Sequence, residues 1–456
     1  MGIIYLSLYH IVLYFFSQYL SVYSKLMDGS DCNKRKKSES DRISELPDEI
    51  IYTILSSLPL RQAAATGLLS HRWRHLWKHT PNLDFYDKHH ILINRNSWRA
   101  EKCHRVKMVN SVLQSHQAPF IKHFTISIYA SKSAHSTITK WLQFAQSRQV
   151  ERLDLNFNSM TRSERRAVVL EDLVRETRPM KYLKALSLAA MKVSGQDISY
   201  FLKTSPLLRE LNITESSFTS HLHVSGDLEI LRLRECIFRK SVIEISAPHL
   251  YEVVYDDAKP GALRFKNAPR LAIASLGIGC LKFNFASTVS SHLQKLILSI
   301  PYSKSKILLR EGLPFMPNLK ELYVVISRVH VHHCLEPVKS IISACPHLQM
   351  FTFKFNMYYK DDERCPYKYE YRPIHGYGPS HDFRCPHQRL KMLKFRGSCA
   401  TDIIELMTYV SVCFNAYQQI NNCNTLPMSE TKGQAHMVHM QQLMSLLTHQ
   451  VEFEFR

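Results

Sequence analysis

A chain of 456 residues has the length of about three domains, although a repeat array can spend that length on one. Its eleven cysteines contain no C-x-x-C pair and no regular spacing, which excludes a disulfide-framed scaffold and favours a reduced, intracellular compartment. The net charge of +20 speaks to association with acidic partners, and because Lys and Arg are spread along the chain without a stripe, no specific nucleic acid is expected.

Residues 1–40 form an apolar and then basic leader. Ile3 to Tyr23 is uncharged and long enough to span a bilayer, and Lys25 with the run Lys34-Arg35-Lys36-Lys37 would hold the remainder of the chain in the cytosol. Two readings stay open: a membrane anchor over residues 3–23, or a working start at Met27, after which the text is an ordinary polar leader. A secretory signal fits less well, because there is no basic n-region and no small-residue cleavage site. The basic run also has the composition of a nuclear import signal.

Residues 41–86 read as three short helices. Pro47 suits a first helical turn, and Asp48 and Glu49 place negative charge at its positive end. Ile50, Ile51, Ile54, Leu55 and Leu58 then share one apolar face. Pro59 stops that helix and starts a second, across Leu60 to Thr66. Ser70 is an N-cap candidate for a third helix carrying Trp73, Leu76 and Trp77. So small a bundle is marginal alone and should offer a face to a partner. Two tryptophans where a recognition helix needs polar side chains argue against DNA binding.

Residues 87–119 read as a linker with one helix around Cys103 to Ser115. A period then sets in. The pattern apolar-x-x-apolar-x-apolar begins at Ile121, Val150, Leu183, Leu208, Leu228 and Leu250. It continues at Leu271, Leu293, Leu319, Leu348 and Leu390. From Leu183 to Leu319 the spacings are 25, 20, 22, 21, 22 and 26 residues, within the range of about 20–29 typical of leucine-rich repeats. A proline stands two residues before the first leucine at Pro206, Pro248, Pro269, Pro317 and Pro346, where a loop must end and a strand begin. The expected fold is α/β: a three-helix bundle, then over residues 120–400 a curved solenoid with a parallel strand layer. Residues 401–456 read as a divergent tail, with a candidate helix from His436 to His449.

No P-loop, nucleophile elbow or H-E-x-x-H is present, and Gly277-Ile278-Gly279 lacks the third glycine of a dinucleotide fingerprint. His330, His332, His333 and Cys334, and separately Cys365, His375, His381, Cys385 and His387, lack paired zinc-ligand spacing. Asp256-Asp257 has no acid–base partner, and Asn212-Ile213-Thr214 fits a glycosylation acceptor but falls on an expected strand. No catalytic residue, metal or cofactor is expected.

Strand alternation turns the repeat leucines inward and their neighbours to the open face. Those neighbours include Arg232, Arg234, Lys295, Lys354, Lys394 and Arg396, which makes them candidates for binding an acidic or phosphorylated target. Treated as surface charges, Arg232 and Arg234 should be reversible to Glu without loss of the fold.

Leu46-Pro47, the spaced Ile and Leu residues, Leu58-Pro59 and Ser70-His71-Arg72-Trp73-Arg74 through Trp77 resemble the plant type of F-box. The irregular repeats, and the end from Cys345 through RLKMLKFRG, resemble plant F-box/leucine-rich-repeat proteins of the FBD type, although the text after Val410 departs from them. The resemblance implies a non-catalytic subunit of an SCF-type ubiquitin ligase, in the nucleus and cytoplasm. Leu46, Pro47, Ile50, Ile54, Leu58 and Pro59 would contact a Skp-type adaptor and through it a cullin. Trp73, Leu76 and Trp77 would hold the bundle together, and the repeats would bind an unknown target protein. Two alternatives stay open: a repeat module without ligase function, with residues 3–23 as an optional membrane tether, and a small-molecule receptor built on the same solenoid.

Overall fold

In the computed structural model every one of the eleven six-residue units becomes a strand, and each strand begins two residues after the unit's first apolar residue. The structure describes residues 46–68, 72–86, 98–130, 134–157, 167–174, 178–238, 242–255, 263–277, 280, 289–301, 314–327, 344–356, 391–397 and 450–455. The chain divides into two units, residues 1–161 and 162–456.

The first unit begins with helices α1 (Asp48–Ser57) and α2 (Leu60–Ala65), each entered directly from a proline. The carbonyl of Pro47 accepts from the N–H groups of Ile50 and Ile51, and that of Pro59 from Gln62 and Ala63. Each proline thus occupies a position where no N–H is needed. Helix α3 (Trp73–Leu76) is a single turn. It starts at Trp73, and Ser70, the expected cap, lies outside the described residues. The Arg72 guanidinium bonds Asp48 and ties the start of α3 to the start of α1. Strand β1 (Asn82–Phe85) comes next, and Asn82 donates to the Ser56 carbonyl at 2.9 Å, fixing strand to bundle.

The stretch expected as a linker with one helix carries that helix as α4 (Trp98–Ser115), 18 residues long and longer than the expected Cys103–Ser115. Its Val109 and Leu113 are buried, and its Asn110 accepts from the Trp141 indole at 2.8 Å. Trp141 lies on α5 (His135–Ser147), between strands β2 (His123–Ser127) and β3 (Arg152–Asn156). Strands β1, β2 and β3 pair in parallel. Two of the repeat units, with β1 as an unforeseen third strand, therefore belong to the same unit as the helical bundle.

The second unit is a solenoid. Its main sheet consists of β5 (Ala185–Ala189), β7 (Glu210–Thr214), β10 (Ile230–Arg234), β13 (Glu252–Tyr255) and β15 (Ile273–Gly277). It goes on with β16 (Lys295–Pro301), β17 (Glu321–Ser327), β18 (Met350–Asn356), β19 (Met392–Gly397) and β20 (Gln450–Phe455), all parallel. One device repeats at each strand entrance. The carbonyl of the residue before a strand accepts from two successive N–H groups of the next layer, as Lys184 does from Arg209 at 2.9 Å and Glu210 at 3.1 Å. The carbonyls of Arg209, Glu229, Tyr251, Ala272, Gln294, Lys320 and Gln349 do the same, so register is set afresh in every layer.

The prolines have a mechanical role of the same kind. The Leu250 N–H returns to the Ala247 carbonyl, Leu271 to Ala268, Leu319 to Met316 and Leu348 to Cys345. Each is a four-residue turn with proline second, where its fixed φ is wanted. The corners after β5, β7 and β10 are also alike: Ala190, Glu215 and Glu235 adopt φ of 59°, 48° and 51°. A left-handed residue that is not glycine costs about 1 kcal/mol or more. Stacking offsets it, because Ala190 donates to the Thr214 carbonyl and Glu215 to that of Arg234 in the next layer.

Two further parallel sheets flank these layers, one of β4 (Val168–Val169), β6 (Met191–Val193), β8 (Ser217–Phe218) and β11 (Ile237–Phe238). The other consists of β9 (Leu222–Ser225), β12 (Ile243–Ser246) and β14 (Leu263–Asn267). Inside, Leu211, Ile213, Leu231, Leu233 and Val253 are buried, and Phe218 stacks on Phe238 at 4.3 Å. At about 1.5–3 kcal/mol for each buried aliphatic side chain, this repeated core supplies most of the cohesion. The tail expected to be divergent contributes β20, which pairs residue by residue with β19. The expected helix His436–His449 lies outside the described residues.

Candidate functional site

Two surfaces were marked by sequence, one on the helical bundle and one on the strands. In the bundle, Ile51, Leu55, Leu58, Ala63 and Trp73 close a core, with Leu46, Ile54, Leu76 and Trp77 packed against it. The single apolar face expected of α1 is thereby divided. Ile51 and Leu55, one turn apart, point inward with Leu58, whereas Ile50 is 46% exposed. Leu58, expected to touch an adaptor, is only 8% exposed and belongs to the core instead. Pro47 and Pro59 are exposed and Leu46 and Ile54 half-buried. Sequence reasoning passed over Leu68, which stands 74% exposed in a 3-10 turn after α2.

On the main sheet of the second unit, the candidate cations fall into three kinds. Arg232 lies between two carboxylates: its Nη1 donates to Glu210 Oε1 at 2.8 Å, and its Nε and Nη2 donate to the two oxygens of Glu252 at 2.9 and 3.1 Å. The three side chains keep 26%, 18% and 21% exposure respectively. The hydrogen bond to Glu252 is the largest cause raising the Arg232 pKa, with Glu210 adding to it against the opposing effect of burial. Arg232 is thus an internal tie across β7, β10 and β13, and the expectation that it could be reversed to Glu without harm does not hold. Lys295 likewise pairs with Glu321 on the next strand at 2.7 Å.

Arg234 and Lys354 are exposed and have no ion-pair partner among the described residues. Lys394 is half-buried. The structure places the backbone of Arg396 on β19, opposite Glu454 of β20, just as Lys394 stands opposite Glu452. The unforeseen last strand therefore brings acidic residues into register with the C-terminal cations. Asn212 of the glycosylation pattern is half-buried and donates to Glu210 at 3.0 Å.

Among the described residues no group of three His, Cys, Asp or Glu could hold a metal ion, and both histidine–cysteine clusters of the sequence lie outside those residues, as does Asp256-Asp257. Burial pushes the Cys345 thiol up to about 12, which removes it as a nucleophile. Among the described residues no helix is long and apolar enough to cross a membrane, and residues 3–23 are not among them.

Against protein families, residues 43–85 match the F-box domain. Residues 172–430, more than half of the chain, match the family described as At1g61320/AtMIF1, LRR domain. The chain belongs to this leucine-rich-repeat family and carries an F-box ahead of the repeats. Among Arabidopsis thaliana relatives, F-box/LRR-repeat protein 25 is 30% identical over 49% of this chain and 88% of its own length. F-box/LRR-repeat protein At3g03360 is 26% identical over 69% of this chain and 71% of its own. The FBD-associated F-box protein At5g56440 is 38% identical, but this chain spans only a quarter of that relative's length. A yeast Rad7–Elc1 structure aligns with 75% of this chain and 92% of its own at 12% identity and a TM-score of 0.28, too distant to bear on either surface. F-box/LRR proteins are generally non-catalytic adaptors.

Proposed function

We propose that this F-box/LRR chain is the substrate-receptor subunit of an SCF-type, cullin–RING ubiquitin ligase. The F-box would bind a Skp-type adaptor and through it a cullin, while the repeats hold the protein to be modified. The chain then does no chemistry itself. It raises the effective concentration of the target at the ligase. The observation that carries this reading is that Pro47, Ile50, Pro59 and Leu68 stay exposed on a bundle whose core is already closed by other residues. An apolar surface the bundle does not need for itself supports a partner-binding role. We further propose residence in the nucleus and cytoplasm, on the strength of the basic run Lys34–Lys37.

Co-purification with a Skp-type adaptor tests the proposal. Ile50→Glu together with Leu68→Glu should remove adaptor binding while the variant keeps its thermal transition, since both side chains are exposed. Full adaptor recovery with the folded double variant would sink the assignment of this face.

A further inference from the structure

The turns that enter the strands of the second unit carry a second charged surface. In the turn Ala247-Pro248-His249-Leu250 and its equivalents, the residue between proline and leucine projects outward while the leucine is buried. At β13, β15 and β18 these tips are His249, Arg270 and His347, and before β16, where serine stands in place of the proline, the same position is His292, all exposed. The residues immediately before β17 and β19 add Lys320 and Lys391, also exposed. Successive layers stack, so these side chains form a rim across the strand entrances. Among the described residues the rim carries acid only near its start, at Asp227 and Glu229, and those face Arg209 at 3.8 and 3.6 Å. His249 approaches Asp227 at 3.9 Å and Arg270 at 3.3 Å. From β13 onward no Asp or Glu occupies a tip or a strand-preceding position among the described residues. Glu252 and Glu321, the first residues of their strands, are engaged by Arg232 and Lys295.

We propose that this rim binds an acidic, extended segment of the protein held by the repeats. The proposal rests on the reading of the second unit as the target-holding part. Lys320 and Lys391 immediately precede β17 and β19, two strands apart, which separates them by about 10 Å at roughly 4.8 Å per strand, and Arg270, in the turn two residues further back from β15, continues the row with a longer step. In a polyproline-II segment, residues three apart share a face and lie about 9 Å apart. The rim therefore matches a segment with a carboxylate at every third position, and the histidines between the cations supply further hydrogen-bond donors. Permanent cations this sparse, with few exposed rings among them, suit a peptide better than a nucleic acid strand, which is gripped by dense positive charge and base stacking.

The test uses the full chain and a fluorescent peptide of four Glu-Pro-Ser repeats, with Gln-Pro-Ser and Lys-Pro-Ser peptides and a twelve-nucleotide oligouridylate as comparators. Binding of the Glu peptide should weaken about tenfold or more in Arg270→Glu/Lys320→Glu. Arg270→Gln/Lys320→Gln should weaken it in the same direction and covers the case in which reversal disturbs the fold. The matched reversal Lys107→Glu/Lys140→Glu, at exposed positions of α4 and α5 in the first unit, changes net charge equally and should leave binding unchanged. Equal loss in both reversals would mean that net charge alone attracts the peptide and would overturn the rim. So would an unchanged affinity in the rim variants, or oligouridylate binding as tight as that of the Glu peptide. Adaptor co-purification on the same samples separates the two ideas, because the ligase reading fails on the adaptor and the rim fails on the peptide.

Discussion

Arg232 sits in mid-strand on β10 with Glu210 on one side and Glu252 on the other, whereas Arg270 sits in the turn entering β15 with His249 beside it. Both are arginines of the same solenoid, yet one is a structural tie and the other a donor open to a partner. The difference comes from where the repeat places them. A mid-strand residue has cross-strand neighbours at about 5 Å on both sides, so an unmatched charge there would meet half-buried surroundings. A turn tip has solvent on most sides, and its charge costs almost nothing to leave unmatched. At Arg232 and Lys295 charge on the strand face therefore holds layers together, whereas charge on the rim remains available to a partner.

The sharpest way to break that comparison is to delete the tie. Arg232→Ala leaves two half-buried carboxylates facing each other across one strand, and should cost about 2–3 kcal/mol in chemical denaturation of the full chain. Combining Arg232→Met with Glu210→Gln and Glu252→Gln should recover most of that loss. If Arg232→Ala is no worse than Arg234→Ala, the triad is not a tie.

The histidines extend the contrast to pH. His116, in the first unit, is buried, and its Nε2 bonds the Thr80 carbonyl at 2.9 Å. Burial is the main cause holding its pKa below 6.5, with Arg148 and His79 adding to it against the Thr80 bond. The folded state thus takes up this proton less readily than the unfolded one. The contribution is fully present above the unfolded value of about 6.5 and is lost as pH falls from there toward the depressed folded value. Denaturation midpoints at pH 7.5 and 5.5 should differ for wild type and differ less for His116→Gln. An equal pH response in both would show that His116 is not the group responsible.

Smaller effects sharpen the same comparison. Lys295→Ala breaks a pair that is 42% exposed on both sides, and should cost under about 1 kcal/mol in the same assay. Arg270→Ala and Lys320→Ala, at the rim, should each stay within about 0.5 kcal/mol of wild type. A rim substitution more costly than Lys295→Ala would show that the rim is structural after all.

Much of this architecture was legible from residue order. The phase of the apolar residues located all eleven expected strands, because a strand that must bury alternate side chains tolerates no slip. The prolines before the leucines were visible too, although their place as second residue of a turn needed the returning N–H bonds to be seen. Less legible was the division of α1, because Ile50 and Ile51 read alike until α2 and α3 define an inside. Leu68 carried no periodic signal. Strands β1 and β20 belong to no six-residue unit of the period, and they join the sheets through backbone pairing that sequence alone does not record.

By itself, then, the order of residues determined which side chains alternate inward and how often the layer repeats, since both follow from local periodicity and burial. Only the tertiary structure decided which cations are spoken for. Glu210, Arg232 and Glu252 are some twenty residues apart in the chain and meet because parallel stacking sets them side by side. The same stacking gathers single residues from successive turns into a rim. Ion pairing depends on distances across layers, and the repeat sets those distances only once it has closed.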